Sequence, residues 1–300
     1  MTPTSYEVAL AGEALERPEI VVLTAENRAA IRHLPAALGR RFIDVGIAEQ
    51  TMVGVAAGLA LRGRVPVVHA LAAFLVMRAF EFIRTDVGVA GLPVKLVGYI
   101  PGFLSEANGP THQAIEDVAL MRQVPGMQVF CPADEAELLA SLPEFLGRDS
   151  PAYLRYNAEP AVVDHVPFAR GRAEVLSDGG SVALLTYGFL LREAIAARAI
   201  LEAGGVPVRL VNLRTLRPVD EEAILEAARR SWLLVTLEDH LLAGGLYSVV
   251  AEVLLRHRLA PRTLAIALGE RWFQPALLPD LLRYEGFTGP QIAARILEAL

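Results

Sequence analysis

Residues 44–60 read Asp44-Val-Gly-Ile-Ala-Glu49-Gln-Thr-Met-Val-Gly-Val-Ala-Ala-Gly-Leu-Ala60. This is the end of a strand, an acid at the mouth of a helix, and then an apolar, small-residue helix. A carboxylate placed where a buried helix begins loses hydration, so Glu49 needs a partner that donates or shares a proton. The strand-then-helix order also sets the architecture, because strand-like runs alternate with helical ones along the whole chain, the pattern of a parallel α/β fold.

In the first half the pattern predicts strands at 19–23, 65–68, 94–99, 127–130 and 152–156, with helices near 5–16, 48–62, 74–90, 113–123 and 134–146. The second half continues with strands at 182–186, 208–211, 233–237 and 264–267. Breakers crowd residues 157–180, which read as a linker crossing the surface. The expected division is a domain over residues 1–160, a linker over 161–178 and a smaller α/β domain over 179–300. The halves are not copies of each other, and no short repeat or low-complexity tract occurs.

Composition narrows the function. The chain has 300 residues, 53% of them hydrophobic, enough for two cored domains. A net charge of −6, with no basic cluster interleaved with aromatics, argues against a nucleic-acid partner. Cys131 is the only cysteine, so neither an intrachain disulfide nor a cysteine metal cluster is expected, and a cytoplasmic location is. The N-terminal stretch lacks the basic start and apolar core of a signal peptide, and no apolar run reaches the ~20 residues of a membrane span. Lys95 is the sole lysine and sits in a strand-like run, which leaves little room for Schiff-base chemistry or a phosphate-binding G-x-x-x-x-G-K loop.

Chemistry-bearing residues gather in three segments that follow strands, where parallel sheets form their ligand crevice. The first holds Glu49. The second, His69 to Arg84, places Phe74 at a helix start just beyond a strand. The third, Glu106-Ala-Asn-Gly-Pro-Thr-His112-Gln-Ala-Ile-Glu-Asp117, places His112 in the first turn of a helix. Each residue also has a plainer reading: Glu49 as a helix-start acid favoured by the macrodipole, Phe74 as a core aromatic, His112 as a bond to its own loop. Glu116 and Asp117 read as ordinary first-turn acids. Arg78 and Arg84 read as structural or interfacial, paired with acids such as Glu81. His240 suits a cleft or a structural bond equally, and His33, His165 and His257 carry no motif.

G-I-A-E-Q at 46–50, F-x-x-x-R-A-F-E-x-I-R at 74–84 and G-P-T-H-Q-x-x-E-D at 109–117, in this order, resemble the transketolase family of thiamine diphosphate enzymes. Arg217-Pro-Val-Asp220 and Val235-Thr-Leu-Glu-Asp-His240, followed by Ala-Gly-Gly245, resemble that family's C-terminal domain, so the likeness spans the chain. It implies that Glu49 hydrogen-bonds the ring nitrogen of the cofactor's aminopyrimidine, that Phe74 stacks on that ring, and that His112 reaches the substrate's oxygens. Ile47 and, more loosely, Glu26 would line the cofactor.

The family's Mg²⁺- and diphosphate-binding segment, a G-D-G followed by an Asn pair, does not occur. The resemblance therefore implies a second chain carrying it, with the Mg²⁺ ligands there and none here, and an assembly of two chains of each kind. Where the family grips a sugar phosphate, this chain has Ile100 and Ala158, and Asn108 stands where an Asp commonly precedes Gly-Pro-Thr-His. An apolar pair cannot hold a phosphate dianion, so at least one ketose or aldehyde substrate is expected to be non-standard or unphosphorylated. Rival readings are a 2-oxo acid dehydrogenase β-type subunit, a deoxyxylulose-phosphate-synthase-like subunit, or a non-catalytic scaffold.

Overall fold

The computed structural model describes residues 5–147 and 150–300; the first four residues, part of the N-terminal stretch read above for a leader, lie outside them. The first half runs α1 (Tyr6–Glu16), β1 (Ile20–Thr24), α2 (Leu34–Leu38), β2 (Phe42–Asp44), α3 (Glu49–Leu61), β3 (Val65–Leu71), α4 (Phe80–Phe82), β4 (Lys95–Tyr99), α5 (Asp117–Gln123), β5 (Gln128–Phe130), α6 (Glu135–Phe145) and β6 (Ala152–Arg155). The second runs β7 (Glu174–Asp178), β8 (Val182–Thr186), α7 (Leu191–Ala203), β9 (Val208–Asn212), β10 (Thr215–Arg217), α8 (Glu221–Arg230), β11 (Leu233–Leu241), α9 (Leu246–Arg256), β12 (Thr263–Leu268), α10 (Leu278–Glu285) and α11 (Gly289–Ala299).

Two mixed sheets result, ordered β10-β5-β6-β4-β3-β1-β2 and β12-β11-β8-β9-β7. All pairings are parallel except at two edges, where β10 lies antiparallel to β5 and β7 antiparallel to β9. Central strands such as β1 and β8 are buried throughout, which is why they read as unbroken apolar runs. Side chains cap the N-termini of several helices: Asp134 caps α6 through the Glu137 N–H, Asp220 caps α8 through that of Ala223, and Thr288 with Gln291 forms a capping box on α11. Among the described residues no helix is long and apolar enough to cross a membrane.

The expected elements are found, with three differences of substance. Residues 74–88 form one short α-helix flanked by wide π-helical turns at Phe74–Arg78 and Ile83–Gly88, not a single helix. α5 begins only at Asp117, so His112 closes a separate 3₁₀ turn, Pro110–His112, instead of opening the helix. The breaker-rich connection ends in a strand, because β7 occupies 174–178 and pairs with β9.

The halves share one apolar core: Val21, Met52 and Leu96 of the first half with Leu185, Val211 and Leu234 of the second. Charge crosses the same boundary twice. Arg155, at the end of β6, donates to Asp117 Oδ2 and to Asp239 Oδ1 of β11, each at 2.8 Å, with all three side chains buried. Tyr153 adds its hydroxyl to Asp117 at 2.7 Å.

At the second crossing, His165 of the connection lies between Asp134 (2.9 Å) and Glu174 (2.7 Å), with Glu137 3.8 Å away. Arg214 pairs with Glu137 at 2.8 Å and with Glu174 at 3.1 Å. Glu137, His165 and Glu174 converge as closely as metal ligands, a grouping hidden in sequence, but Arg214 already supplies the countercharge there. Burial alone would lower the His165 pKa; the Asp134 and Glu174 carboxylates outweigh it and push it up to about 10. Burial raises Glu174, and its bonds from His165 and Val166 overcome this and hold it at about 2.

Two predictions follow from these contacts. The folded pKa of His165 exceeds its ordinary 6.5, so its stabilisation is complete below pH 6.5 and drains as pH rises towards 10. That of Glu174 is depressed, so its contribution is complete above 4.5 and drains as pH falls towards 2. Melting curves from pH 4 to 10 should show a plateau between these limits, and His165→Gln should lower it and flatten the alkaline limb; an unchanged alkaline limb would refute the assignment. Arg155→Met leaves two buried carboxylates without a cation and should cost about 3–5 kcal/mol in urea unfolding; a loss below about 1 kcal/mol would contradict the role given to it.

Candidate active site

The site lies beyond the carboxyl ends of β1, β2, β3 and β4. After β2 the chain turns through Gly46, at φ 71°, and enters α3, whose N-terminus has no side-chain cap. Asp44 holds this turn: it accepts from Arg28 Nε at 2.9 Å and from the Gly46 and Glu26 N–H groups at 3.0 and 3.2 Å. Partial burial raises the Asp44 carboxyl, but these donors outweigh that and keep it below its usual range. Ile47, on the turn, is 72% exposed.

Glu49 is buried at the start of α3, and its Oε2 accepts from Arg78 Nη1 at 2.8 Å. That bond spans two elements and corrects the expected pairing of Arg78 with Glu81. The Arg78 guanidinium also lies over the ring of Phe74, 4.5 Å from its centroid. Phe74 meets His112 edge-to-face, with centroids 5.0 Å apart. Glu49, Phe74 and His112, drawn from three separate segments, are thus linked through Arg78 and one aromatic contact. Sequence reading missed the role of Arg78; its place four residues after Phe74, on the same helical face, was the available signal.

The loop carrying His112 is anchored from below. Gly102 N–H donates to Ala114 O at 3.0 Å and Leu241 N–H to Ile115 O at 2.8 Å, while Phe103 N–H donates to Asp239 Oδ2 at 3.2 Å. Gly102 has φ 55°, and a Cβ there would fall 1.9 Å from Asp239 Oδ2, so the close approach requires glycine. His112 Nδ1 lies 2.9 Å from Thr111 Oγ1, which leaves Nε2 for other partners.

The remaining candidates are more peripheral. Glu26 is exposed, at φ 62°, and meets Asp44 through its backbone. Asn108 is exposed and turns inward to Ser105 O at 2.6 Å. Ile100 is half-buried at φ 49°, a costly conformation for a β-branched residue and one that marks functional loops. Ala158 is exposed. His240 is structural: it is fully buried, donates from Nδ1 to Leu241 O at 2.6 Å, and accepts the Ala119 N–H on Nε2. Beside it Glu238 caps α9 through the Leu246 and Tyr247 N–H groups, and burial pushes its pKa up to about 8. Burial raises the Cys131 thiol far above its ordinary value, which makes it inert.

A buried acid beside an aromatic face and an imidazole suits a flat, hydrogen-bonding heteroaromatic ring such as an aminopyrimidine. A family model described as "Transketolase, pyrimidine binding domain" matches residues 1–159, and one described as "Transketolase, C-terminal domain" matches residues 171–292. The 6-deoxy-6-sulfo-D-fructose transketolase subunit SqwH of Clostridium sp. (strain MSTE9) is 40% identical over 255 residues, covering 83% of this chain and 79% of that protein. A 1-deoxy-D-xylulose-5-phosphate synthase of Synechococcus sp. (strain JA-2-3B'a(2-13)) is 37% identical over 309 residues, but this chain spans only 47% of its length. The solved structure of a "split gene transketolase, inactive beta4 tetramer" is similar at TM-score 0.89 and 36% identity, covering 98% of this chain and 96% of that one.

Proposed function

The chain belongs to the transketolase family, and we propose that it is the pyrimidine-binding, C-terminal subunit of a split thiamine diphosphate-dependent enzyme that moves a two-carbon ketol unit from a ketose to an aldehyde. The observation that carries this reading is the convergence of Glu49, Phe74 and His112, in a chain that matches a split gene transketolase chain over 96% of that chain's length. When bound, thiamine diphosphate supplies the carbon nucleophile that cleaves the donor beside its carbonyl and passes the fragment on.

In this reading Glu49 holds the ring nitrogen of the pyrimidine, Phe74 stacks on the ring, and His112 hydrogen-bonds the oxygens of the substrate through Nε2. Glu26 and Ile47 border the cofactor, while Ile100 and Asn108 face the substrate. The Mg²⁺ ligands belong to a diphosphate-binding partner chain, and the active assembly is an α2β2 tetramer acting in the cytoplasm, organised as a pyrimidine-binding domain over 1–160, a linker over 161–178 and a C-terminal domain over 179–300.

Need for a partner is supported by the surface around the site. α3 exposes Val55 and Leu61, the latter 70% exposed, with open space over Gly54 and Gly58, and Ile47, just before it in the chain, is exposed as well. An apolar helix face of this kind is stable when another chain covers it.

Ile100 and Ala158 in place of the phosphate-gripping residues favour a substrate without a standard sugar phosphate, and a relative named for a 6-sulfo sugar supports this. The 1-deoxy-D-xylulose-5-phosphate synthase relative keeps a second chemistry in view, in which a 2-oxo acid donor releases CO₂.

Calorimetric titration of thiamine diphosphate with Mg²⁺ should show tight binding only when the diphosphate-binding chain is present, and Glu49→Gln in that complex should cut turnover by at least about a hundredfold. Tight binding by this chain alone would contradict the split site. A donor panel should then show transfer from an unphosphorylated or sulfonated ketose without CO₂ release; efficient use of xylulose 5-phosphate, or CO₂ from pyruvate, would overturn the substrate reading.

A further inference from the structure

Arg78 makes, with one planar cation, two contacts that the function proposed above reserves for the pyrimidine. It hydrogen-bonds the buried Glu49 carboxylate at 2.8 Å and lies over the face of Phe74 at 4.5 Å. A guanidinium is flat, donates in its plane and stacks on aromatic rings, which are also the recognition properties of an aminopyrimidine. Two flat groups cannot share that space, since a ring stacked on Phe74 would place its centroid at about 4.5–7 Å, the distance range the guanidinium already occupies at 4.5 Å.

We propose that Arg78 is a stand-in for the pyrimidine: it fills the ring's place in the chain without cofactor, keeps Glu49 and Phe74 aligned, and must swing out for the cofactor to enter. This rests on Glu49 and Phe74 being the pyrimidine contacts.

The asymmetry of the pair sets which member moves. The Glu49 side chain is 3% exposed and fixed at the start of α3, whereas Arg78 is 41% exposed and reaches in from the solvent side. Arg78 closes the π-helical turn Phe74–Arg78, a widened turn of the kind found at functional sites, and its long stem gives it room to leave without moving the backbone. The stand-in meets the need that Glu49 creates, because a buried carboxylate without a counter-ion is costly. Binding then exchanges one partner of Glu49 for another, and the apparent affinity is reduced by the fraction of molecules in which Arg78 is docked.

The test is calorimetry with thiamine diphosphate and Mg²⁺ on the assembled complex, and with thiamine on the full chain, comparing wild type, Arg78→Met, Arg78→Lys and Glu49→Gln. If Arg78 is docked in about nine molecules of ten, Arg78→Met should bind about tenfold more tightly than wild type. Arg78→Lys keeps the charge but not the flat stack, so it should fall between them and also guards against misfolding of the Met variant. Thermal melts of the chain without cofactor should show Arg78→Met and Glu49→Gln to be non-additive, as a paired acid and base require.

Weaker binding by both Arg78 variants would overturn the proposal, making Arg78 a permanent anchor of Glu49, as would additive melts. Unchanged binding by Glu49→Gln, or no binding by any form, would instead defeat the underlying assignment of Glu49 to the pyrimidine.

Discussion

Arg155 is the cation on which the arrangement of this molecule turns. It stands at the end of β6 in the first sheet and neutralises Asp117, which opens α5, and Asp239, which belongs to β11 of the second sheet. The His112 loop ends where Asp117 begins and starts where Gly102 and Phe103 lie against Asp239. Both ends of the loop are therefore referred to one buried guanidinium. Such a triad contributes little net stability over an apolar core, but it punishes any other placement of the two sheets, because each carboxylate would then be buried unpaired.

The same logic divides labour within the site. Asp44 fixes the turn before α3 with donors to both of its oxygens, so Glu49 enters the crevice at a defined angle. Below, Glu238, His240 and Gly245 lock the start of α9, and a Cβ on Gly245 would fall 2.0 Å from Glu238 Oε2. Around Glu49, by contrast, polar satisfaction is thin: a single partly exposed arginine, an aromatic ring and the apolar face of α3. The loops that carry these residues are thus tightly held, while the buried Glu49 carboxylate rests on an arginine that is itself 41% exposed.

Much of this was legible in the sequence. The alternation of buried strands and amphipathic helices marked nine of the twelve strands, because central parallel strands are buried on both faces and read as apolar runs. β7 and β10 escaped, and of β2 only the end at Asp44 was read, for a physical reason. They are three to five residues long and lie at sheet edges, and β7 and β10 take their identity from an antiparallel partner, so no periodicity marks them.

The motif around Glu49 pointed to an acid needing a partner, and motif order pointed to Phe74 and His112. The identity of the partner did not follow, since Arg78 has Glu81 three residues away and Glu49 twenty-nine, and only the fold decides which is nearer. His165 carried no signal at all; its three carboxylates come from the N-cap and first turn of α6 and from β7, and their convergence exists only after the two sheets have docked.

β10 has a consequence for how the protein is made. The seventh strand of the first sheet comes from residues 215–217, beyond most of the second sheet's strands in sequence, and it covers the edge of β5. During synthesis the first six strands emerge with that edge bare, and at about 5–20 residues per second the covering strand follows some seconds later. An open strand edge is a template for pairing with another nascent chain. A fragment cut between the halves would keep that edge bare, so the first sheet is completed only by residues that lie within the second half of the chain.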